Sequence, residues 1–216
     1  MKKLFTLFTV AFAAVNMNAQ MISFTEGELL DSWTVDGFVL DRSADTDVKN
    51  TVDANTCYFG TAESQVKFEA RLKTGGKSSS TKNYFTLTIP SDGTVNIYAR
   101  TGSNSATDRN VVLTQGETEV VNKILLEEEK IMVMIDEEEK SVYPVVSAEV
   151  TAGTATVTYP VGSINFYGFE FVAGGTTSIE SVEASADAVV YNILGQKVAE
   201  GTKGLVICNG KKMVLR

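Results

Sequence analysis

Apolar and polar residues alternate with a period of two through the middle of this chain, and that period constrains its fold more than any other feature. Val66, Phe68, Ala70 and Leu72 alternate with Lys67, Glu69, Arg71 and Lys73, as in a strand with one buried face. Phe85, Leu87 and Ile89 alternate with Tyr84, Thr86 and Thr88, and Val95, Ile97 and Ala99 alternate with Asn96, Tyr98 and Arg100. Pro90-Ser91-Asp92-Gly93 separates those last two runs with turn chemistry: proline presets φ, aspartate bonds locally and glycine accepts unusual φ. Gln115-Gly116 marks a second hairpin, between Val111–Leu113 and Val120–Leu125. Ile131-Met132-Val133-Met134-Ile135 is continuously apolar, which predicts a strand buried on both faces. With Val142–Val150, Ala155–Tyr159 and Ile164–Val172, the pattern predicts about nine or ten short strands with regular turns. No long amphipathic helix interrupts them. The expected fold is all-β, an antiparallel β-sandwich of jelly-roll type.

Both ends of the chain read differently from the middle. Lys2 and Lys3 precede an apolar stretch from Leu4 to Val15, and Ala19 offers a small residue for cleavage. This is the pattern of a signal peptide over residues 1–19, and it falls short of the roughly 20 apolar residues that a membrane span requires. No cysteine closely follows that stretch, since the first is Cys57, so a lipid anchor is not expected. Residues 20–172 then form the sandwich domain, and Ala173-Gly174-Gly175-Thr176-Thr177-Ser178 opens a flexible linker over 173–181. In the last segment, Gly195-Gln196 and Asn209-Gly210 sit between short apolar runs, and Asn-Gly tolerates the positive φ of a two-residue hairpin turn. A small C-terminal β module is therefore expected over 182–216.

Composition removes several function classes. The chain carries a net charge of −8, and loss of Lys2 and Lys3 with the leader makes the mature protein more acidic still. Nucleic-acid binding rests on neutralising phosphates with Lys and Arg, so no nucleic-acid partner is expected. There is no histidine, which excludes a Ser-His-Asp triad, a Cys-His pair and a His-rich zinc site. Carboxylate pairs could still cleave glycosides, but the acids cluster in Glu127-Glu128-Glu129 and Asp136-Glu137-Glu138-Glu139 on either side of the apolar run 131–135. Charges so placed keep a strand soluble at its ends, and we read them that way rather than as catalytic. Asp41, Asp45 and Asp47 share one loop, but their spacing matches no EF-hand and the required glycine is missing. No metal site, catalytic residue or cofactor is expected. Two cysteines, Cys57 and Cys208, are too few for a disulfide framework and fall in different modules. Cys208 reads as a buried small hydrophobe. Trp33, the only tryptophan, reads as a core anchor before a ligand platform.

Within this acidic chain the stretch from Arg71 to Arg109 is basic, with six cationic residues (Arg71, Lys73, Lys77, Lys82, Arg100, Arg109) against Asp92 and Asp108. Exposed aromatics can stack on sugar rings, and arginine pairs bidentately with carboxylates. Arg71, Lys73, Tyr84, Tyr98, Arg100 and Arg109 are accordingly the candidate ligand-binding residues for a polysaccharide, and together they suit an acidic one. The competing reading is an outer sheet face of ordinary mixed-charge cross-strand pairs.

Two stretches carry resemblances. Tyr191-Asn192-Ile193-Leu194-Gly195-Gln196-Lys197-Val198, then Lys203-Gly204-Leu205-Val206-Ile207 and Asn209-Gly210-Lys211-Lys212, resemble the C-terminal sorting domain of type IX secretion cargo over residues 182–216. That resemblance implies export across an outer membrane, engagement of the secretion machinery, and often removal of the domain. Arg71-Leu72-Lys73-Thr74-Gly75-Gly76, Val95–Ser103 with Arg109, and Ile164–Phe171 make the body similar to the non-catalytic β-sandwich modules of secreted bacterial pectate lyases. That second resemblance, in patches over roughly 22–172, implies carbohydrate association without catalysis. The expected protein is a secreted or outer-surface carbohydrate-binding module; the alternative is a structural or adhesive cell-surface protein. Mass spectrometry of the exported protein should find Gln20 at its N-terminus and no peptide from 182–216. Retention of Arg216 would contradict removal of the module.

Overall fold

Alternating sequence becomes two packed sheets. The computed structural model describes residues 19–45, 47 and 49–174, together with the backbone of three strands at 190–192, 204–208 and 211–215. Residues 1–18 of the leader, most of the linker and the Gly195-Gln196 turn lie outside the described residues. The chain divides into two units, Met1–Gly175 and Thr176–Arg216. In the first, the strands are β1 (Ala19–Ser23), β2 (Ser32–Val35), β3 (Phe38–Arg42), β4 (Thr51–Gly60), β5 (Gln65–Lys73), β6 (Phe85–Ile89) and β7 (Gly93–Thr101). They continue as β8 (Asn110–Gln115), β9 (Thr118–Ile124), β10 (Ile131–Ile135), β11 (Glu138–Tyr143), β12 (Val146–Val150), β13 (Gly153–Thr158) and β14 (Ile164–Ala173). The larger sheet runs β10-β11-β4-β5-β14-β7-β12, with β1 also on β14, and the smaller runs β2-β3-β6-β13-β8-β9. In the second unit, β15 (Val190–Asn192), β16 (Gly204–Cys208) and β17 (Lys211–Leu215) form a three-stranded antiparallel sheet in that order. Cys208 pairs with Lys211, so the strands expected on either side of Asn209-Gly210 are present. Among the described residues no helix is long and apolar enough to cross a membrane.

The fold class is the one the alternation predicts: all-β, an antiparallel sandwich with a small C-terminal sheet. The strand number is not. The first unit holds strands β1 to β4 that the sequence pattern did not mark, and Pro144 splits the expected run 142–150 into β11 and β12. A proline has no N–H to continue the ladder, so one run becomes two strands. Both anticipated turns form: β6 passes to β7 through Ser91 and Asp92, and β8 passes to β9 through Gly116, whose φ is +61°.

The main core lies between the sheets. Phe38, Leu40, Leu72, Phe85, Leu87, Val95, Ile97, Leu113, Val157, Tyr159, Phe166, Phe169 and Phe171 are almost wholly buried there. Trp33 joins this core, its ring edge-on to Phe24 with centroids 5.2 Å apart, as expected of a core anchor. Burial of such side chains contributes about 1.5–3 kcal/mol each before chain entropy is charged against it.

A second, aromatic core forms on the opposite face of the larger sheet. The β14–β7 ladder shifts register between Phe166 and Gly168, so β14 carries one extra residue, Tyr167, opposite β7. Successive side chains of a strand point to opposite faces, so Phe166 enters the main core and Tyr167 the other. The extra residue shifts the period, so that Phe169 and Phe171 return to the main core. β5 pairs with β14 only at Asn165–Lys73 and Phe166–Leu72. From Gly168 onward β1 occupies that edge of β14 instead. The far half of the β4–β5 ribbon therefore leaves the sheet and folds over its outer face. A second shift, between Ala54 and Cys57 in β4, keeps Cys57 and Phe59 on the covering side of the ribbon. Phe59 and Phe68 then pack against Tyr98, Tyr143 and Tyr167, with centroid separations from 4.8 to 6.0 Å for Phe68–Tyr98, Phe59–Tyr167, Phe59–Tyr98 and Phe59–Tyr143.

Gly168 is where the ribbon crosses. A Cβ there would meet Phe68 Cε1 at 2.6 Å and the Ile22 carbonyl oxygen at 2.9 Å. Gly168→Ala should therefore destabilise the protein by about 1–3 kcal/mol, the usual cost of overpacking, and lower the urea midpoint. An unchanged midpoint would contradict the close crossing.

Candidate functional site

The six candidate residues do not share one face. Arg71, Lys73, Tyr98 and Arg100 belong to the larger sheet, whereas Tyr84 adjoins β6 and Arg109 precedes β8, both in the smaller one. Arg71 is committed to Asp53, donating from Nε at 2.7 Å and from Nη2 at 3.2 Å. Lys73 is exposed at the end of β5, and Tyr84 is half-buried. Arg109 donates from Nη1 to the carbonyl oxygen and the Oγ of Ser163, both at 2.8 Å, and lies against Gly102 and Gly162. It staples two loops together.

Tyr98 corrects an expectation. Its place in the alternation put it on an exposed sheet face beside Arg100, but it is only 3% exposed. The folded β4–β5 ribbon covers it. Its hydroxyl donates to Glu170 Oε2 at 2.7 Å, and burial, reinforced by the adjacent Glu170 carboxylate, raises its pKa far above the ordinary tyrosine value. Tyr98 cannot serve as a platform for a sugar ring. Tyr167 is likewise buried, its pKa pushed up to about 12, chiefly by burial.

Arg100 stays at the surface margin, and a cluster assembles around it. Its Nη2 donates to Glu127 Oε2 at 3.0 Å, and its guanidinium carbon lies 4.1 Å from the centroid of the Tyr143 ring. Glu127 also accepts from the Tyr143 hydroxyl at 2.7 Å and from Lys130 Nζ at 2.9 Å. One carboxylate thus ties β7, β11 and the 3-10 turn Glu127–Glu129 together. The acidic run before β10 was expected to be a solvated flank; Glu127 is instead a hub and Glu129 accepts from Lys123 at 2.5 Å. Burial pulls the Glu127 carboxyl upward, but the hydrogen bonds from Lys130, Tyr143 and Arg100 outweigh it and hold its pKa below the ordinary value.

Beside this hub an open recess of 520 Å³ lies between the β4–β5 ribbon and the β10–β11 hairpin, lined in part by Tyr58, Lys67, Arg100, Lys140 and Tyr143. β11 runs parallel to β4 there, with Val142 opposite Tyr58 and Tyr143 opposite Phe59. Three cations therefore converge on one concavity of an acidic chain. Only Arg100 belonged to the sequence-derived set. Lys67 and Lys140 sit on different strands, 73 positions apart in number, and no local motif joins them. Lys67 pairs with Glu69 at 2.5 Å, its side chain half exposed and its partner more so, and Lys140 pairs with Glu138. Exposed pairs of this kind are worth about 0–1 kcal/mol and exchange partners readily. A neighbouring recess of 490 Å³ has Glu26 and Glu69 in its lining and no cation.

Cys57 also lines the basic recess. Its thiol is free, and burial raises its pKa above the usual thiol value, so it remains protonated and a poor nucleophile at neutral pH. The acidic loop is built from local bonds: Asp47 Oδ1 accepts from Asn83 Nδ2 at 2.6 Å, and Lys82 lies 3.8 Å from Asp47 and 3.9 Å from Asp45.

No known protein family matches the chain, and no curated protein matches it by sequence. Among solved structures, the chain is similar to one from a study of the Ruminococcus flavefaciens cellulosome and its expansion in glycan recognition. That likeness has a TM-score of 0.38 and 10% identity over 72% of this chain and 93% of that one. A second likeness is to the catalytic unit of a thermostable GH87 α-1,3-glucanase from Streptomyces thermodiastaticus, with a TM-score of 0.35 and 9% identity. It covers 65% of this chain and 26% of the glucanase chain. At such scores the function has to be argued from the site itself.

The hub makes a pH prediction. A carboxyl with a depressed folded pKa contributes stability above its unfolded pKa of about 4.3, and loses it as pH falls through the folded value. Glu127→Gln should therefore cost about 1–3 kcal/mol at pH 7, with the deficit shrinking toward pH 3 in urea melts. An equal deficit at both pH values, or none at pH 7, would contradict the hub.

Proposed function

We propose that this protein is a secreted, non-catalytic carbohydrate-binding module whose ligand is an acidic polysaccharide held in the recess between the β4–β5 ribbon and the β10–β11 hairpin. The convergence of Lys67, Arg100 and Lys140 beside Tyr58 and Tyr143 carries this reading. A uronate carboxylate suits lysine and arginine donors, since charge-assisted bonds are the strong ones. A pyranose ring is amphipathic, and the half-buried Tyr58 offers it a partly exposed aromatic side chain. The lysine partners Glu69 and Glu138 lie outside the lining, so a ligand carboxylate can replace them without leaving a buried charge alone. Glu127 holds Arg100 and Tyr143 in place from behind, which preorganises that wall of the site.

The same reading assigns delivery to the ends of the chain. Residues 1–19 act as the export signal, and residues 182–216, which resemble type IX sorting domains, engage the secretion machinery and lead the protein to the outer surface or beyond. Catalysis is not part of the proposal: no histidine is available, and Cys57 is held as a thiol.

Affinity electrophoresis of the mature protein through gels containing pectin tests the proposal. Retardation is expected in pectin and not in a neutral glucan. Lys67→Ala with Lys140→Ala should weaken binding by about a hundredfold or more, since each lost charge-assisted bond is worth about 1.5–3 kcal/mol. Lys73→Ala, outside the recess, should bind as wild type does. Equal retardation of the double variant, or none in any acidic glycan, would overturn the site.

A further inference from the structure

The apolar run 131–135 corrects another expectation. Its unbroken apolar sequence predicted burial on both faces, but Ile131, Met132 and Met134 are 41%, 50% and 66% exposed. β10 pairs only with β11 and forms the outer edge of the larger sheet. It joins β11 through Asp136 and Glu137, both at positive φ (+52° and +67°), the signature of a two-residue type I′ hairpin. In such a hairpin the residues flanking the turn, Ile135 and Glu138, exchange both backbone hydrogen bonds, and the ladder alternates from there. Ile135, Val133 and Ile131 thus bond to β11, while the N–H and C=O groups of Met132 and Met134 face outward.

Sheet edges are ordinarily blunted by proline, inward-pointing charge or a bulge. β10 has none of these within its five residues. Charge is found instead at its ends: Glu128 on one side and Asp136, Glu137 and Glu139 on the other are exposed and form no salt bridge among the described residues. A second copy fits this edge poorly. Antiparallel pairing of two β10 strands over the whole run would bring the acids 127–129 of each copy to the acids 136–139 of the other, and like charges opposed across strands destabilise.

We propose that β10 is a docking edge for an extended segment of a partner protein, one with apolar residues at alternate positions and lysine or arginine at both ends. The segment adds as a further strand. Its backbone bonds to Met132 and Met134, its side chains lie along the exposed methionine face, and its basic ends meet Glu128 and the Asp136–Glu139 acids. Methionine suits such a surface because its flexible thioether adapts to different neighbours. This site is separate from the glycan recess and does not depend on it.

The test uses the full-length protein and a fluorescein-labelled peptide in which valine alternates with threonine between two pairs of lysines. The same peptide ended in glutamates is the control. The lysine-ended peptide should bind, more weakly as salt rises, and the glutamate-ended one should not. Met134→Pro removes the outward N–H while sparing the β11 ladder, so it should weaken binding about tenfold, the worth of one lost hydrogen bond and its unsatisfied partner. Should Met134→Pro fail to fold, judged by its near-ultraviolet aromatic signal, Met132→Lys sets a repelling charge on the same edge and should weaken binding likewise. Equal binding of both peptides, binding of neither, or undiminished binding by a folded variant would overturn the proposal. A concentration-dependent dimer abolished by Met134→Pro would overturn it too, by giving the edge to a second copy.

Discussion

One extra residue in β14 decides how this protein is built. Tyr167 faces away from Phe166 as strand alternation requires, planting an aromatic ring on the face of the larger sheet that would otherwise be solvated. The extra residue then shifts the period, so that Phe169 and Phe171 still enter the main core. Tyr98, on the neighbouring strand, points the same way as Tyr167. An uncovered pair of tyrosines would be ordinary surface. With Phe59 and Phe68 brought over them by the β4–β5 ribbon, they become a second core. The absence of a side chain at Gly168 lets the ribbon come that close.

The recess follows from the same crossing. A ribbon lifted off the sheet needs a neighbour, and β11 supplies one by pairing in parallel with β4 at Tyr58 and Phe59. Between the two elements a concavity remains, lined by the guanidinium of Arg100 on Tyr143 together with Cys57, Tyr58, Lys67 and Lys140. Glu127 ties that wall to the 3-10 turn that precedes β10. The hairpin that completes the recess thereby leaves its own outer strand, β10, without a partner on one side. Site and open edge are two consequences of one folded ribbon.

The main core was legible in the sequence because it follows the strict alternation of β5, β6 and β7, and the fold class followed from it. The second core was not, because alternation says only that Tyr98 and Arg100 share a face, and nothing local says that another element will cover it. A bulge shifts the period by one and nothing local marks its place, so Tyr167 read as one more residue of a strand over 164–172. The strand at 131–135 misled for a related reason: an unbroken apolar run signals burial when both faces are packed, but an exposed edge strand can be written with the same residues. Arg100 was found as part of a basic stretch. Lys67 and Lys140 were missed because the topology, and not spacing, brings β5 and β11 to the same recess. Arg71 and Arg109 were singled out by charge, yet each is spent on an internal partner, Asp53 and Ser163.

The most direct test of this account is a two-dimensional amide NMR titration of the mature protein with short oligogalacturonates. The account predicts shifts concentrated at Thr56–Tyr58, Lys67, Arg100 and Lys140–Tyr143, with the smaller sheet unmoved. Shifts centred on Tyr84 and Arg109, or none at saturating oligosaccharide, would contradict it.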